Sequence, residues 1–198
     1  IIARGDVKKA LAQAPRSLSG IFENGAQDHF YLETHVALVT PQEQGGFAIA
    51  SSTQHPTEVQ AKVAEVLGVG RHKIVVDVPR MGGGFGGKET QGAHVAALAT
   101  LASWHTGRPV KIRLNRDQDM HQTGKRHPFI SKYEAGYNDA GDLLALRVKM
   151  YADGGWSSDL SGAILDRALF HIDNCYHIPN VHFEGRVLKT NHVSHTAF

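Results

Sequence analysis

VPRMGGGFGGKETQGAHVAALATLASWHTGRP, residues 78–109, sets five glycines around one phenylalanine, Phe85, and runs on into an alanine-rich segment. The preceding HKIVVDV (72–78) has the apolar texture of a buried strand. The alanine-rich segment reads as a helix from Glu89 to Thr106, closed by Gly107 and Pro109. Strand, bare loop and helix follow one another directly. Glycine has no Cβ, so such a loop adopts positive φ at little cost and lets another group lie against bare backbone. Three kinds of neighbour suit it: the phosphates of a nucleotide, a different cofactor, or another stretch of protein.

Gly82, Gly87 and Lys88 meet the G-x-x-x-x-G-K spacing of a phosphate-binding loop, which then requires Ser or Thr to hold magnesium. Glu89 stands there, placing a carboxylate where a triphosphate would bring like charge. Gly82, Gly84 and Gly87 also spell G-x-G-x-x-G between strand and helix, the context of a dinucleotide-binding turn. Against that, Pro79 and Arg80 interrupt the passage, and Asp117 lies about 35 residues on where ~20 is usual. The plain structural reading, glycines that let helix and strand pack closely, has even weight on the motif alone. In favour of a ligand, glycines flanking Phe85 leave its N–H accessible, and the helix start beyond it favours electron-rich groups.

Around this stretch the texture alternates. ARGDVKKALAQAP (3–15) reads as a short helix or linker running into Pro15, and 17–53 as strands, including DHFYLETHVALVT and GFAIASST. TEVQAKVAEVLG (57–68) reads as a helix, with a Thr57/Gln60 capping box, an apolar stripe of Val59, Val63, Val66 and Leu67, and Gly68 as stop. VKIRLNR is a strand, and NRDQDMHQTGKRHP a loop holding one helical turn. FISKYEAGY and LLALRVKMYADG form a hairpin over Asn138–Asp139–Ala140–Gly141, followed by a helix in DLSGAILDRALFHID and a strand in VHFEGRVLKTN. The expected class is α+β: mixed sheets with packed helices, not a doubly wound sheet.

Composition narrows function. With 41% hydrophobic residues and a net charge of +2, a globular protein is expected, and nucleic acid is a poor partner for so balanced a surface. No apolar run approaches the roughly 20 residues of a membrane span. The single cysteine, Cys175, excludes a disulfide framework within this chain, reads as a packed thiol, and fits a reduced cytoplasmic setting. The thirteen histidines show no H-E-x-x-H spacing, so none is read as a metal ligand.

GAQDHFYLETH, STQ, RMGGGFGGKET, TGRPV, RHPF, DRALFHIDNCYHIPN and KTN follow in this order. Together they closely resemble the molybdenum-cofactor portion of the molybdenum hydroxylase family, in its purine-oxidising, xanthine dehydrogenase branch. The resemblance covers residues from about Ser17 to Phe198. It implies a leading or linker segment at 1–16 and the N-terminal part of a larger molybdopterin-binding domain at 17–198, cut before that domain's end.

The resemblance also implies roles. Gln54 would face an oxygen ligand of molybdenum with its amide, and Phe85 would meet another through its backbone N–H, within a cofactor-binding run Gly84–Phe85–Gly86. No side chain would ligate the metal, which the pterin sulfurs hold. Glu89 and Arg167 would grip and polarise a purine, hypoxanthine or xanthine, on its way to urate with water as oxygen source. Aldehyde-oxidising relatives tend to lack both residues. The family's general-base glutamate lies in a downstream glycine-rich motif absent here, so the 198-residue chain alone is expected to be inactive. FAD and iron–sulfur clusters would sit on other domains or a separate subunit. Three readings remain beside this one: a dinucleotide-binding dehydrogenase domain, an aldehyde-oxidising relative of the same family, and a non-catalytic scaffold.

Overall fold

The computed structural model describes residues 1–197; Phe198, the last residue of the expected 17–198 domain, lies outside them. The chain divides into two compact units, one built from 1–27 and 127–195, the other from 28–126 and 196–198.

The first unit holds strands β1 (Ile2–Arg4) and β2 (Arg16–Asn24), which flank helix α1 (Val7–Gln13) in sequence. The second unit supplies β3 (Val36–Pro41), β4 (Phe47–Ser51), α2 (Pro56–Leu67), β5 (Ile74–Asp77), α3 (Gly92–Thr106), β6 (Val110–Arg113) and α4 (Arg116–Gln122). The chain then returns to the first unit with β7 (Phe129–Tyr137), β8 (Leu143–Gly155), α5 (Ser161–Phe170) and β9 (Asn180–Lys189).

In the first unit five strands run in the order β1-β9-β8-β7-β2. β8 and β9 are parallel and the other neighbours antiparallel. The hairpin turn is as expected: Gly141 takes φ +89°, and Gly141 N–H donates to Asn138 C=O at 3.0 Å. Two glycines mark where helices lie on strands. A Cβ at Gly185 would stand 2.8 Å from Leu165 Cδ1 of α5, and one at Gly136 2.8 Å from the Ala14 Cβ that ends α1. Val148, Ala152, Leu165, Leu169, Ile178, Val181 and Phe183 form the core. Residues 1–16 are built into this unit: β1 pairs with β9, and Asp6 caps α1 by accepting from Lys9 N–H.

The second unit has four strands ordered β5-β4-β3-β6, with only β4 and β5 parallel. A dinucleotide fold needs the strands either side of its glycine turn to be parallel. Here β5, left before the glycine run, and β6, entered after α3, point the same way but lie at opposite edges of the sheet, with β4 and the antiparallel β3 between them, so they are not the adjacent parallel pair of such a fold. α3 buries Ala93, Val95, Ala96 and Ala99 against the sheet, small side chains that let helix and strands approach closely.

Four local expectations change. α3 begins at Gly92 rather than Glu89, because the Lys88 carbonyl that would start it is taken by Gln54 N–H (2.8 Å) and Thr53 Oγ1 (3.0 Å). The Thr57/Gln60 capping box does not form: α2 starts at Pro56, and the Gln60 amide donates to the carbonyls of Ile74 and Arg71. In the α2 stripe Val66 is exposed and Ala64 takes its place in the core. Residues 28–35 are irregular rather than strand, because Tyr31 and His35 turn inward to a buried carboxylate. A capping box does occur in the molecule, at Asn115/Gln118 of α4. Cys175, read as packed, is exposed. Among the described residues no helix is long and apolar enough to cross a membrane.

Replacing Phe183, 2% exposed, by alanine is expected to cost about 3–5 kcal/mol in denaturant titration. The same change at Leu188, 45% exposed, should stay within about 0.5 kcal/mol. Equal losses would contradict the assigned core.

Candidate functional site

The glycine run is a sharp turn gripped from three sides. Gly87 N–H donates to Gly84 C=O at 2.8 Å, and both intervening residues have positive φ, Phe85 at 52° and Gly86 at 90°. That is the type I′ pattern, favourable for glycine and strained for a phenylalanine, whose ring is left exposed. Strain of this kind persists only where the surroundings enforce it.

The enforcing contacts are visible. A Cβ at Gly82 would stand 2.6 Å from Glu33 Cβ, one at Gly84 2.5 Å from Gln54 Oε1, and one at Gly87 2.8 Å from the His29 ring and Tyr31 Cε1. Much of the glycine requirement is therefore met by protein neighbours, the third of the neighbours a bare loop admits. Gly82 and Glu33 also exchange bonds: Glu33 N–H donates to Gly82 C=O (3.1 Å), and Gly82 N–H to Glu33 Oε2 (2.9 Å).

Beneath the turn lies Lys88, with no exposed surface. Its ammonium donates to Glu33 C=O and to Ser52 Oγ, each at 2.7 Å, stands 3.5 Å from Glu33 Oε2, and sits 4.5 Å from the centre of the Tyr31 ring. Ser52 in turn donates to Glu33 Oε2 at 2.6 Å. Burial lowers the Lys88 pKa and the Glu33 carboxylate only partly restores it, leaving it below its ordinary value. For Glu33 partial burial acts upward, but the Gly82 N–H, the Ser52 hydroxyl and the Lys88 charge outweigh it and hold the carboxyl below its usual range. An ammonium committed in this way is not offered to a phosphate, which removes the phosphate-loop reading.

The support extends one layer further. Tyr31 donates to Asp119 Oδ1 at 2.5 Å; the other oxygen, Oδ2, accepts from His35 N–H at 2.6 Å and lies 3.0 Å from His35 Nδ1. Burial opposes the Asp119 charge, yet bonds from the His35 ring, Tyr31 and the His35 backbone hold its pKa well below the usual carboxylate range. Burial and the Asp119 bond push the Tyr31 phenol up. Tyr31, the inner wall of the glycine turn, is thereby anchored to α4.

Gln54 completes the frame. Its Oε1 accepts from Gly86 N–H (2.9 Å) and Lys88 N–H (3.1 Å), which fixes the amide's orientation. It does not cap α2, whose N-cap is His55. With Oε1 so occupied, the exposed Nε2 group has no acceptor among the described residues, and neither has the Phe85 N–H. Two donors, one on the turn and one on the Gln54 side chain held against it, are thus without a protein acceptor among the described residues, and a group with oxygen ligands fits them. Glu89 follows, half-buried, in the bend before α3. Gln54, Gly84, Phe85, Gly86 and Glu89 all lie in the second unit; Arg167 is in the first, exposed on the last turn of α5. Tyr31, Glu33 and His35 fall within GAQDHFYLETH and Ser52 within STQ, yet the sequence assigns none of them a role, and Asp119 lies outside every such stretch.

The molybdopterin cofactor-binding domain model matches residues 1–198, the leading segment included. Xanthine dehydrogenase of Dictyostelium discoideum and xanthine dehydrogenase/oxidase of Mus musculus are each 48% identical over 198 residues, all of this chain and 15% of theirs. Among solved structures, the aldehyde oxidoreductase of Desulfovibrio gigas superposes with a TM-score of 0.89 at 32% identity, over 100% of this chain and 22% of that one. The chain therefore spans about a seventh of the length of these curated relatives.

Lys88→Met keeps the buried volume but leaves the Glu33 carbonyl and Ser52 without their donor; a loss of about 1–3 kcal/mol in unfolding free energy is expected. Glu33 has a depressed folded-state pKa, so its stabilisation is present at neutral pH and is lost as pH falls through that value. The melting temperatures of wild type and Glu33→Gln should differ most near neutrality and converge on acidification. A gap that widens in acid would contradict the ionised carboxylate.

Proposed function

The chain belongs to the molybdopterin cofactor-binding domain family, and on that premise we propose that it forms part of the molybdenum-cofactor site of a purine hydroxylase. That enzyme oxidises hypoxanthine and xanthine to urate with water as oxygen source. The observation that carries the cofactor assignment is the pair of open donors on the glycine turn, Gln54 Nε2 and Phe85 N–H. The resemblance to xanthine dehydrogenases supports the purine assignment through Glu89 and Arg167.

When bound, the molybdenum cofactor supplies the redox centre of the reaction. This chain's residues bind and orient. The Gly84–Phe85–Gly86 turn presents bare backbone, and Gln54, locked by the two backbone donors on its Oε1, would hold an oxygen ligand of the metal through Nε2. A preorganised donor costs no reorganisation when charge develops opposite it. Glu89 hydrogen-bonds the purine. Arg167, permanently cationic, stabilises negative charge on a purine oxygen. On this reading the general base, FAD and iron–sulfur clusters belong to the rest of a cytoplasmic enzyme, and the 198-residue chain alone turns nothing over.

Two variants of the whole protein test this. Glu89→Val should lower xanthine turnover at least about 100-fold while molybdenum and pterin content stay unchanged; unaltered turnover would sink the role of Glu89. Gly84→Ala drives a methyl onto Gln54 Oε1 and should lower molybdenum and pterin content itself. Full cofactor content in that variant would remove Gln54 and the glycine turn from the binding site.

A further inference from the structure

In the first unit three side chains outside the family motifs, two of them just after KTN, converge at the end of β8. The Asp153 carboxylate has its two oxygens in different employment. Oδ1 accepts from Thr190 Oγ1 at 2.6 Å and from Gly155 N–H at 2.9 Å. Oδ2 is turned the other way, 2.6 Å from His192 Nδ1 and 3.9 Å from His195 Nε2. One ligand atom from each residue lies within 4.8 Å of the other two. A hydrogen-bonded ion pair needs one imidazole on that oxygen. Two imidazoles and a carboxylate with ligand atoms this close can make a ligand set.

We propose that Asp153, His192 and His195 form a binding site for a divalent transition ion of the zinc class, distinct from the molybdenum cofactor. Zinc takes imidazole nitrogen and carboxylate oxygen at about 2.0–2.2 Å in tetrahedral sites. That places ligand atoms roughly 3.3 Å apart, so His195 moves in from 3.9 Å while the His192–Asp153 pair opens from 2.6 Å, shifts on the order of 1 Å. His192, whose side chain is 70% exposed, has the freedom to make its share. Magnesium and calcium prefer all-oxygen sets, whereas two imidazoles select zinc and its neighbours. The fourth position, on the exposed His192 side, is left to water.

The backbone builds the site before any ion arrives. β8 and β9 slip register between Asp153 and Gly155, and Gly155 takes φ +74°. A Cβ there would stand 2.1 Å from the Val193 carbonyl, so only glycine lets the 190–195 loop lie on the strand end. Three bonds stitch them: Thr190 N–H to Gly155 C=O (3.0 Å), Trp156 N–H to His192 C=O (3.0 Å) and His195 N–H to Gly154 C=O (3.3 Å). The carboxylate is oriented by its own outer partners, Thr190 and Gly155, as ligating carboxylates commonly are. His195 is nearly buried and fixed; His192 is the outer ligand. His127, whose ring centre is 5.6 Å from that of His195, has Nε2 bonded to Ser161 Oγ at 2.7 Å and stands outside the trio.

The whole cofactor-loaded protein is dialysed against zinc with magnesium in large excess, and zinc per chain is counted by elemental analysis. Wild type should retain one more zinc per chain than His192→Ala, an exposed substitution that removes no core packing. His195→Asn should show the same loss, and Asp153→Asn at least about a tenfold weaker uptake. Equal zinc in wild type and His192→Ala, or zinc displaced by the magnesium, overturns the site. The count is independent of molybdenum content.

Discussion

An ammonium with no exposed surface has to be met by acceptors, and at Lys88 they are the Glu33 carbonyl, Ser52 Oγ and, at longer range, the Glu33 carboxylate. An uncompensated charge in such a place costs several kcal/mol, so the segments carrying those acceptors cannot drift from it. Glu33 then reaches Gly82, Ser52 reaches Glu33, and Gln54, two residues after Ser52, reaches Gly86 and Lys88 itself. The strained turn at Phe85 is held from below by this network. A glycine-rich loop has few side chains of its own for rigidity, and Lys88 supplies it from the next residue along.

The same economy appears at the end of β8. There a positive-φ glycine, a register slip and three backbone bonds bring a loop from about forty residues later onto the strand, and two histidines with it. In both places glycine has the same physical use: it removes the Cβ that would otherwise hold two pieces of backbone apart. One approach seats the glycine turn on Glu33, Gln54, His29 and Tyr31; the other gathers side chains that belong to no motif.

The alternation of elements was legible because it rests on local pattern. The α2 and α5 stripes, the Asn138–Gly141 turn and the glycine stops at Gly68 and Gly107 all act within a few residues. Errors arose where a distant partner overrode a local preference. Glu89–Gln91 have helical company in sequence, but the Lys88 carbonyl is claimed by Gln54 and Thr53, and α3 starts three residues late. Thr57 and Gln60 have capping-box spacing, yet the Gln60 amide finds carbonyls across the β5 approach. Residues 28–35 alternate like a strand, yet Tyr31 and His35 are drawn to Asp119, more than eighty residues on.

By itself the sequence determined the class of fold, the run of strands and helices, and a family resemblance dense enough to name Gln54, Phe85, Glu89 and Arg167. Those features are carried by spacing and short motifs, which survive in one dimension. Only the tertiary structure decided which donors on the glycine turn are open, what fills the space beneath it, and that Asp153 meets His192 and His195. Each depends on atoms within about 4 Å whose residues stand tens of positions apart, and burial makes such contacts decisive: in a low-dielectric interior an unmet charge or polar group is costly enough to override local propensity.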